Sequence, residues 1–437
     1  MSRPSLLLSA YQCAPGQGSV SQIGWEWASR LARRRPVVLL THIRNQAAIA
    51  AAGGLGEGSR VHYIDTEWLA GPLFRLARRL FPRSEHGVFL VASLDFFLYD
   101  WLALRYLRRA RRAGTVFDLV HVVTPVTLAA PSRLHRAGLP VIRGPLNCGL
   151  HSPPGFAEQL RDESPWMIRL RELPRLLDGL FGSTRNARLI LAATRATGQA
   201  VPKRHRHKLH PMLENGIDLA HFPAAPWPPA PGDGQALRVA FVGRMIGLKG
   251  VDLLLKAAAR LCREQRPLHL TLVGDGPARA EWQRLAAELG IEHAVHFTGA
   301  LDQAGVREAM ADCHVFCLPS VRESGGAVLL EAMATARPVI ALAHGGPAEL
   351  VDETVGQAIA VSNPDQVVDN LATALRSIFD DPEAWQARGL AGRSQVVARW
   401  SWEGKISAAE RLYQELVSTV TIPAQSAQTH IATRERP

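Results

Sequence analysis

The chain has 437 residues, 47% of them hydrophobic and 20% charged, a globular composition too long for one ordinary domain. Its net charge of +11 is uneven: residues 1–220 carry 30 Lys and Arg against 15 Asp and Glu (net +15), and residues 221–437 carry 20 against 24 (net −4). No nucleic-acid motif accompanies this charge and aromatics are not interleaved with it, so a nucleic-acid partner is not expected, while the basic first half can attract an anionic membrane surface. The cysteines are odd in number, at Cys13, Cys148, Cys262, Cys313 and Cys317, and none has zinc-ligand spacing, which points to a reducing cytosol.

The N-terminus, Met1 to Leu8, lacks a long apolar run with a cleavage site and reads as a first strand, Ser5 to Ala10, not as a signal peptide. A glycine-rich loop follows (Pro15, Gly16, Gly18, Gly24), then a helix from about Trp25 to Arg34 and a second strand, Val37 to Thr41. This is the opening of a doubly wound α/β domain. Arginine clusters stand at Arg75, Arg78, Arg79 and Arg83, and at Arg105, Arg108, Arg109, Arg111 and Arg112. The apolar stretch from Phe89 to Leu107 is broken by Asp95, Asp100 and Arg105, so it reads as a helix buried on one face and not as a membrane span. Further strands are expected at 118–123, 140–143 and 188–193.

The proline-rich piece from Phe222 to Gly232 reads as a stiff linker. After it the grammar restarts. Leu237–Val242 is a strand, Gly243–Gly250 a loop, Val251–Leu261 a helix and Leu268–Val273 a strand closed by the turn Gly274-Asp275-Gly276-Pro277, where Asp275 caps the turn. A helix ends at Leu289 before Gly290, and further strands fall at 295–297 and 315–318. The division is an acceptor-side domain over 1–220, a linker over 221–235, a second domain over 236–400, a last helix over 401–418 and a disordered tail over 419–437. Both domains are Rossmann-like, and ligands of such folds bind at the C-terminal ends of strands, here in the cleft between domains.

Two features carry chemistry. In Gly243-Arg244-Met245-Ile246-Gly247-Leu248-Lys249-Gly250 two cations and several backbone amides converge where a strand ends and a helix begins, a phosphate-binding arrangement that is not a Walker loop. In the stretch Glu323-Ser324-Gly325-Gly326-Ala327, leading into Val328-Leu329-Leu330-Glu331-Ala332-Met333, the carboxylate of Glu331 lies in a helix apolar enough to be buried. A lone carboxylate there costs roughly several kcal/mol unless polar groups, such as ribose or sugar hydroxyls, meet it. The glycines Gly16, Gly18 and Gly24 let backbone approach a ligand in the same cleft.

In one order, Gly243-Arg244 with Lys249-Gly250, Leu272-Val273-Gly274-Asp275-Gly276-Pro277, Glu323-x7-Glu331 and Gly345-Gly346-Pro347-x-Glu349 resemble the nucleotide-sugar-binding half of retaining glycosyltransferases of family 4, also called group 1. The first half resembles one branch of that family through Tyr11-x-Cys13-x-Pro15-Gly16-x-Gly18, Asp118-Leu119-Val120-His121, Gly144-Pro145-Leu146-Asn147 and Glu214-Asn215-Gly216-Ile217-Asp218.

The resemblance implies a GT-B fold, two Rossmann-like domains facing a cleft, with the last helix packing back on the first. It implies transfer of a sugar from a nucleoside-diphosphate sugar (UDP, GDP or ADP undecided) to a glycan or lipid-linked glycan, as in cell-surface polysaccharide synthesis, in the cytoplasm or at the inner face of its membrane. Arg244 and Lys249 would hold the diphosphate and stabilise it as it leaves. Glu323 would contact the transferred sugar, and Glu331 the ribose. Gly243, Ser324, Gly325, Gly326 and Ala327 would line the donor site with Gly16, Gly18 and Gly24. His121 is a further catalytic candidate, although Val123 replaces the second His many members carry. No cofactor and no metal are expected, since Asp-x-Asp is absent and two fixed cations can neutralise the diphosphate. The pair Gly325-Gly326 departs from the usual Phe-Gly, and Arg337 replaces a usual Gly with no obvious chemical weight. An inactive binding partner and a nucleotide-sugar epimerase or hydrolase are the rival readings.

Overall fold

Two fully parallel sheets organise the chain in the computed structural model, which describes residues 5–80, 94–160, 174–232 and 234–420. The first sheet is formed by β1 (Leu6–Ala10), β2 (Val37–His42), β3 (Arg60–Ile64), β4 (Leu119–Thr124), β5 (Val141–Leu146), β6 (Leu189–Ala192) and β7 (Leu209–Pro211). The second is formed by β8 (Leu237–Val242), β9 (Leu268–Val273), β10 (Val295–Gly299), β11 (Val315–Leu318), β12 (Val339–Leu342) and β13 (Gly356–Ile359). Their orders are β3-β2-β1-β4-β5-β6-β7 and β10-β9-β8-β11-β12-β13. β1, β4 and β11 are buried along their whole length, as strands of a parallel sheet covered by helices on both faces are, and this is why they read as largely apolar runs, broken only by Ser9 in β1 and by His121 and Thr124 in β4.

In each sheet the strand order reverses between the first and fourth strands: β1 beside β4, and β8 beside β11. Loops that leave such neighbours diverge to opposite faces and open a crevice at their C-terminal ends. The loops after β1, β8 and β11 are the ones that carry the expected donor-site residues.

The first helix differs from expectation. It spans Gly18–Arg34, so Gly24 is a helical residue and not part of a loop. A Cβ at Gly24 would stand 2.1 Å from the Gln12 carbonyl oxygen, so this glycine permits close packing of helix on loop rather than approach of a ligand. The basic run Lys203–Lys208 is a 3-10 helix with no buried residue. The edge strands β3, β7 and β13 were not expected. Arg83, residues 89–93 of the apolar stretch and the tail beyond Val420 lie outside the described residues. The described remainder of that stretch belongs to the helix Asp95–Arg112, which buries Asp95, Phe96, Tyr99, Asp100, Ala103, Leu104 and Leu107. No helix among the described residues is long and apolar enough to cross a membrane.

The linker adheres to the second domain. Phe222 joins that domain's core, and Trp227 Nε1 donates to the His314 carbonyl at 2.9 Å. Arg337 is fully buried and donates to the carbonyls of Ala225, Pro226, Met310 and Ala311, which corrects the expectation that it has no weight. One guanidinium offers five donors, enough to hold linker and core together.

The chain returns to the first domain beside its exit. Ile217 N donates to the Trp400 carbonyl and Trp402 N to the Ile217 carbonyl, both at 3.0 Å. Trp400 packs against the second core and Trp402 is buried in the first, so the two tryptophans part company at the crossing. The helix Trp402–Val420 then lays Trp402, Ile406, Ala409 and Tyr413 on the first domain. Arg30 secures it, bonded to Glu26, Asp218 and Glu403.

Candidate active site

The loop after β8 ends in a short 3-10 turn, Gly247–Lys249, which turns the Lys249 side chain toward the loop after β11. Lys249 Nζ lies 2.6 Å from Glu323 Oε2, and both side chains are mostly shielded from water. Glu323 Oε1 also accepts from Gly326 N at 3.4 Å. The Glu323 carbonyl is fixed by Gly346 N at 3.0 Å. Arg244, in the same loop as Lys249, is exposed, and its guanidinium makes no hydrogen bond or ion pair with another described residue, while its carbonyl accepts from Ile246 N at 3.0 Å.

The helix Ala327–Ala334 begins at Gly326, so its first amides point into the crevice. Glu331 lies one turn further along, among Leu329, Leu330, Ala332 and Met333, all wholly buried. Its carboxyl has no hydrogen-bond or ionic partner among the described residues, and burial pushes it up to about 7. The residue as a whole is half-buried.

The first domain supplies the opposite wall. A cavity of about 180 Å³ is lined by Ser19, Val20 and Ile23 of the first helix, by Asn147, Glu214 and Asn215, and by Glu323, Ser324, Gly325, Gly326 and Ala327. Of the candidate first-half glycines, Gly16 and Gly18 lie exposed at the rim beside Ser19. Gly24 is turned away, as its packing on Gln12 shows.

Further contacts join the domains around this cavity. Arg322 donates to Ser152 Oγ at 2.9 Å, His344 Nε2 to the His151 carbonyl at 2.6 Å, and Arg195 N to Glu349 Oε1 at 2.8 Å. These bonds tie the two domains to each other. Asp275 caps its turn through Gly276 N at 2.7 Å, as expected.

His121 is not in the cleft. It is fully buried on β4, with Nε2 donating to the Gly144 carbonyl at 2.6 Å and Nδ1 accepting from the Tyr413 hydroxyl at 2.7 Å. Burial lowers its pKa to about 4. His121 is wholly enclosed and does not line the cavity, so no bound sugar or acceptor reaches its ring, and its catalytic candidacy is corrected to a structural one.

Glu214, quoted in the sequence only as part of the motif Glu214–Asp218 and given no role there, lines the cavity together with Asn147 and Asn215. It is 3% exposed, and its Oε1 accepts from Asn147 Nδ2 and from Asn215 Nδ2. Its Oε2 is enclosed and without a hydrogen-bond partner. Burial raises its pKa, the Asn147 bond and the Lys405 charge oppose this, and Glu323 reinforces it. Lys405 itself is fully buried, donating to the Leu213 and Asn215 carbonyls, and burial lowers its pKa. A carboxylate directly after Met212-Leu213 faces the same burial cost as Glu331, and that signal could have found Glu214.

Among the described residues, no group of three or more His, Cys, Asp or Glu is arranged to hold a metal ion.

Residues 231–394 match the family model described as glycosyl transferases group 1. Over 215 residues, 44% of this chain and 54% of the other, the chain is 32% identical to the GDP-mannose-dependent monoacylated alpha-(1-6)-phosphatidylinositol monomannoside mannosyltransferase of Corynebacterium glutamicum. It is 33% identical over 234 residues, 49% of this chain and 52% of the other, to the D-inositol 3-phosphate glycosyltransferase of Kribbella flavida. The chain therefore spans about half the length of the curated relatives it matches. In structure it is similar to HepE of Anabaena, solved with UDP and glucose, with a TM-score of 0.59 and 17% identity over 95% of this chain and 100% of that one. The architecture is the GT-B fold.

Proposed function

We propose that this protein is a glycosyltransferase that moves a sugar, with retention, from a nucleoside-diphosphate sugar to a hydroxyl of a glycan or lipid-linked glycan. The observation that carries the reading is the meeting of Lys249, Glu323 and the start of the helix Ala327–Ala334 at the β8/β11 switch point, with Arg244 exposed on the Lys249 loop and a cavity walled by the other domain. The match of residues 231–394 to group 1 glycosyl transferases supports it.

The residues divide the chemistry. Arg244 forks onto phosphate oxygens and Lys249 adds a point charge, and the amides at Ala327 complete an anion site. Charge develops on the diphosphate as the sugar–oxygen bond breaks, and these fixed groups stabilise it. The acceptor hydroxyl attacks from the same face and gives its proton to an oxygen of the leaving diphosphate. Two ribose hydroxyls donating to Glu331 satisfy its desolvated carboxylate. Glu323 takes hydrogen bonds from the transferred sugar while remaining oriented by Lys249. The two cations neutralise the diphosphate, so the proposed reaction carries no metal; abolition of turnover by a chelator would overturn that clause.

Thermal stabilisation and sugar release with UDP-, GDP- and ADP-sugars test the reading on the unmodified chain, Glu331→Ala and Lys249→Ala. A relative named for GDP-mannose and a neighbour solved with UDP make both bases worth testing. Stabilisation by one nucleotide class, lost in both variants, supports the donor site and names the base. No stabilisation by any donor leaves the inactive-partner reading.

The acceptor clause extends to a membrane. The helix Glu67–Leu80 exposes Trp68, Phe74 and Leu76 beside Arg75, Arg78 and Arg79 on the basic domain. Aromatic and basic side chains on one helix suit an anionic bilayer surface. All five cysteines are free thiols, which fits work on the cytoplasmic side. Co-sedimentation with vesicles should rise with anionic lipid and fall with salt; binding indifferent to both counts against it.

A further inference from the structure

The donor reading leaves Glu214 without a task, although its carboxyl lines the same cavity as Glu323. A carboxylate offers about four acceptor positions. The protein fills two of them, both on Oε1, from Asn147 and Asn215. Oε2 is enclosed and receives nothing. An enclosed oxygen with no donor costs free energy that a ligand can return. The buried ammonium of Lys405 and the Glu214 carboxyl act on each other's charge, but Lys405 Nζ donates to the Leu213 and Asn215 carbonyls and leaves Oε2 unfilled.

Position narrows the ligand. Glu214 lies directly against Gly325: a Cβ there would stand 2.2 Å from Glu214 Oε1 and 2.5 Å from Asn215 Nδ2. The glycine in place of a large side chain is thus what lets the first-domain carboxyl reach the loop that holds Glu323. Two carboxyls from opposite domains then border one small cavity, next to the cations placed for the diphosphate. The group held there is uncharged, rich in hydroxyls and attached to a diphosphate.

We propose that Glu214 is a specificity-determining residue whose Oε2 accepts a hydrogen bond from a hydroxyl of the transferred sugar. The inference rests on the donor reading above and assigns the first-domain side of that site. It also gives the Gly325-Gly326 pair a role, the admission of Glu214.

Glu214→Gln tests it. The two asparagine amides both donate, so they hold the glutamine oxygen at the Oε1 position and leave an NH2 at the Oε2 position. The atom offered to the sugar changes from acceptor to donor while the shape is kept. Calorimetry on the full chain, with UDP, GDP, ADP and a sugar derivative of each, separates the outcomes. The expected result is unchanged affinity for the free nucleoside diphosphate and affinity for its sugar derivative weakened about 10- to 100-fold. Equal losses for both ligands, or none for either, overturn the proposal, because a merely structural Glu214 cannot distinguish them. Failure of the unmodified chain to bind any of these ligands overturns the donor reading itself. Should Glu214→Gln not fold, deoxygenated nucleotide sugars serve instead. One deoxy position should reproduce the loss on the unmodified chain, and Glu214→Asp should no longer discriminate that donor from its parent. Equal binding of every deoxy donor to the unmodified chain overturns the proposal.

Discussion

Lys249 Nζ stands 2.6 Å from Glu323 Oε2, joining the loop after β8 to the loop after β11 across the switch point of the second sheet. The pair serves two ends. It holds the Glu323 carboxylate, the proposed sugar ligand, in place, and it presents an ammonium that the proposed reaction shares with an arriving diphosphate. Separate substitutions should therefore have different signatures. Lys249→Ala should lower kcat/KM about 10²- to 10³-fold, the usual effect of removing one charge-stabilising donor, and should weaken nucleoside diphosphate binding. Glu323→Gln should lower kcat while leaving nucleoside diphosphate affinity within about 3-fold, since it touches the sugar and not the phosphates. Steady-state kinetics with binding isotherms decide; identical profiles for the two variants would refute the division.

Glu331 should give nucleotide affinity a pH dependence. Its folded pKa of about 7 is above the ordinary carboxyl value of 4.5. The empty folded protein thus binds more protons than the unfolded chain between pH 4.5 and 7, and this contribution to stability is lost as pH rises through that window. In the proposed donor complex ribose hydroxyls donate to the ionised form, so nucleotide affinity should rise with pH toward a plateau above about 7. Glu331→Gln should flatten both trends. His121 acts in the opposite sense: with a folded value near 4, against an ordinary 6.5, it loses stability as pH falls through that range. Thermal midpoints of the unmodified chain and the Glu331→Gln variant, compared by difference at each pH, cancel the histidine contribution.

Tyr413→Phe should destabilise without touching catalysis. It removes the hydroxyl that donates to His121 Nδ1 and leaves a buried acceptor bare. That costs about 1–3 kcal/mol. A lower Tm with kcat/KM within about 2-fold is expected. A large kinetic loss at preserved Tm would restore His121 as a catalytic residue.

Arg337→Ala should loosen the linker. Four carbonyls, of Ala225, Pro226, Met310 and Ala311, lose their donor together. A loss of about 3–5 kcal/mol is expected, as for other buried charged networks. Limited proteolysis should cut between Phe222 and Gly232 faster than in the unmodified chain, and an unchanged cleavage rate would speak against the stapling role.

Local pattern was enough to mark the two βα passes, because a strand buried on both faces is an apolar run wherever it occurs. It also located Arg244, Lys249, Glu323 and the burial of Glu331, because these follow strand ends or interrupt an apolar helix. The edge strands were not legible in that way. In β3, Arg60-Val61-His62-Tyr63-Ile64, polar residues face solvent on an open edge, and β13 is four residues long. Nor could the chain order show that Gly24 packs on Gln12, that Tyr413 closes over His121, or that Arg337 gathers carbonyls from the linker. Each depends on residues distant along the chain meeting at one point, and only the folded arrangement decides such meetings. Glu214 is the clearest case. Met212-Leu213 before it announces burial, but what it is buried against, Asn147 on one side and Gly325 of the other domain, is set by how two sheets and a returning helix close the cleft.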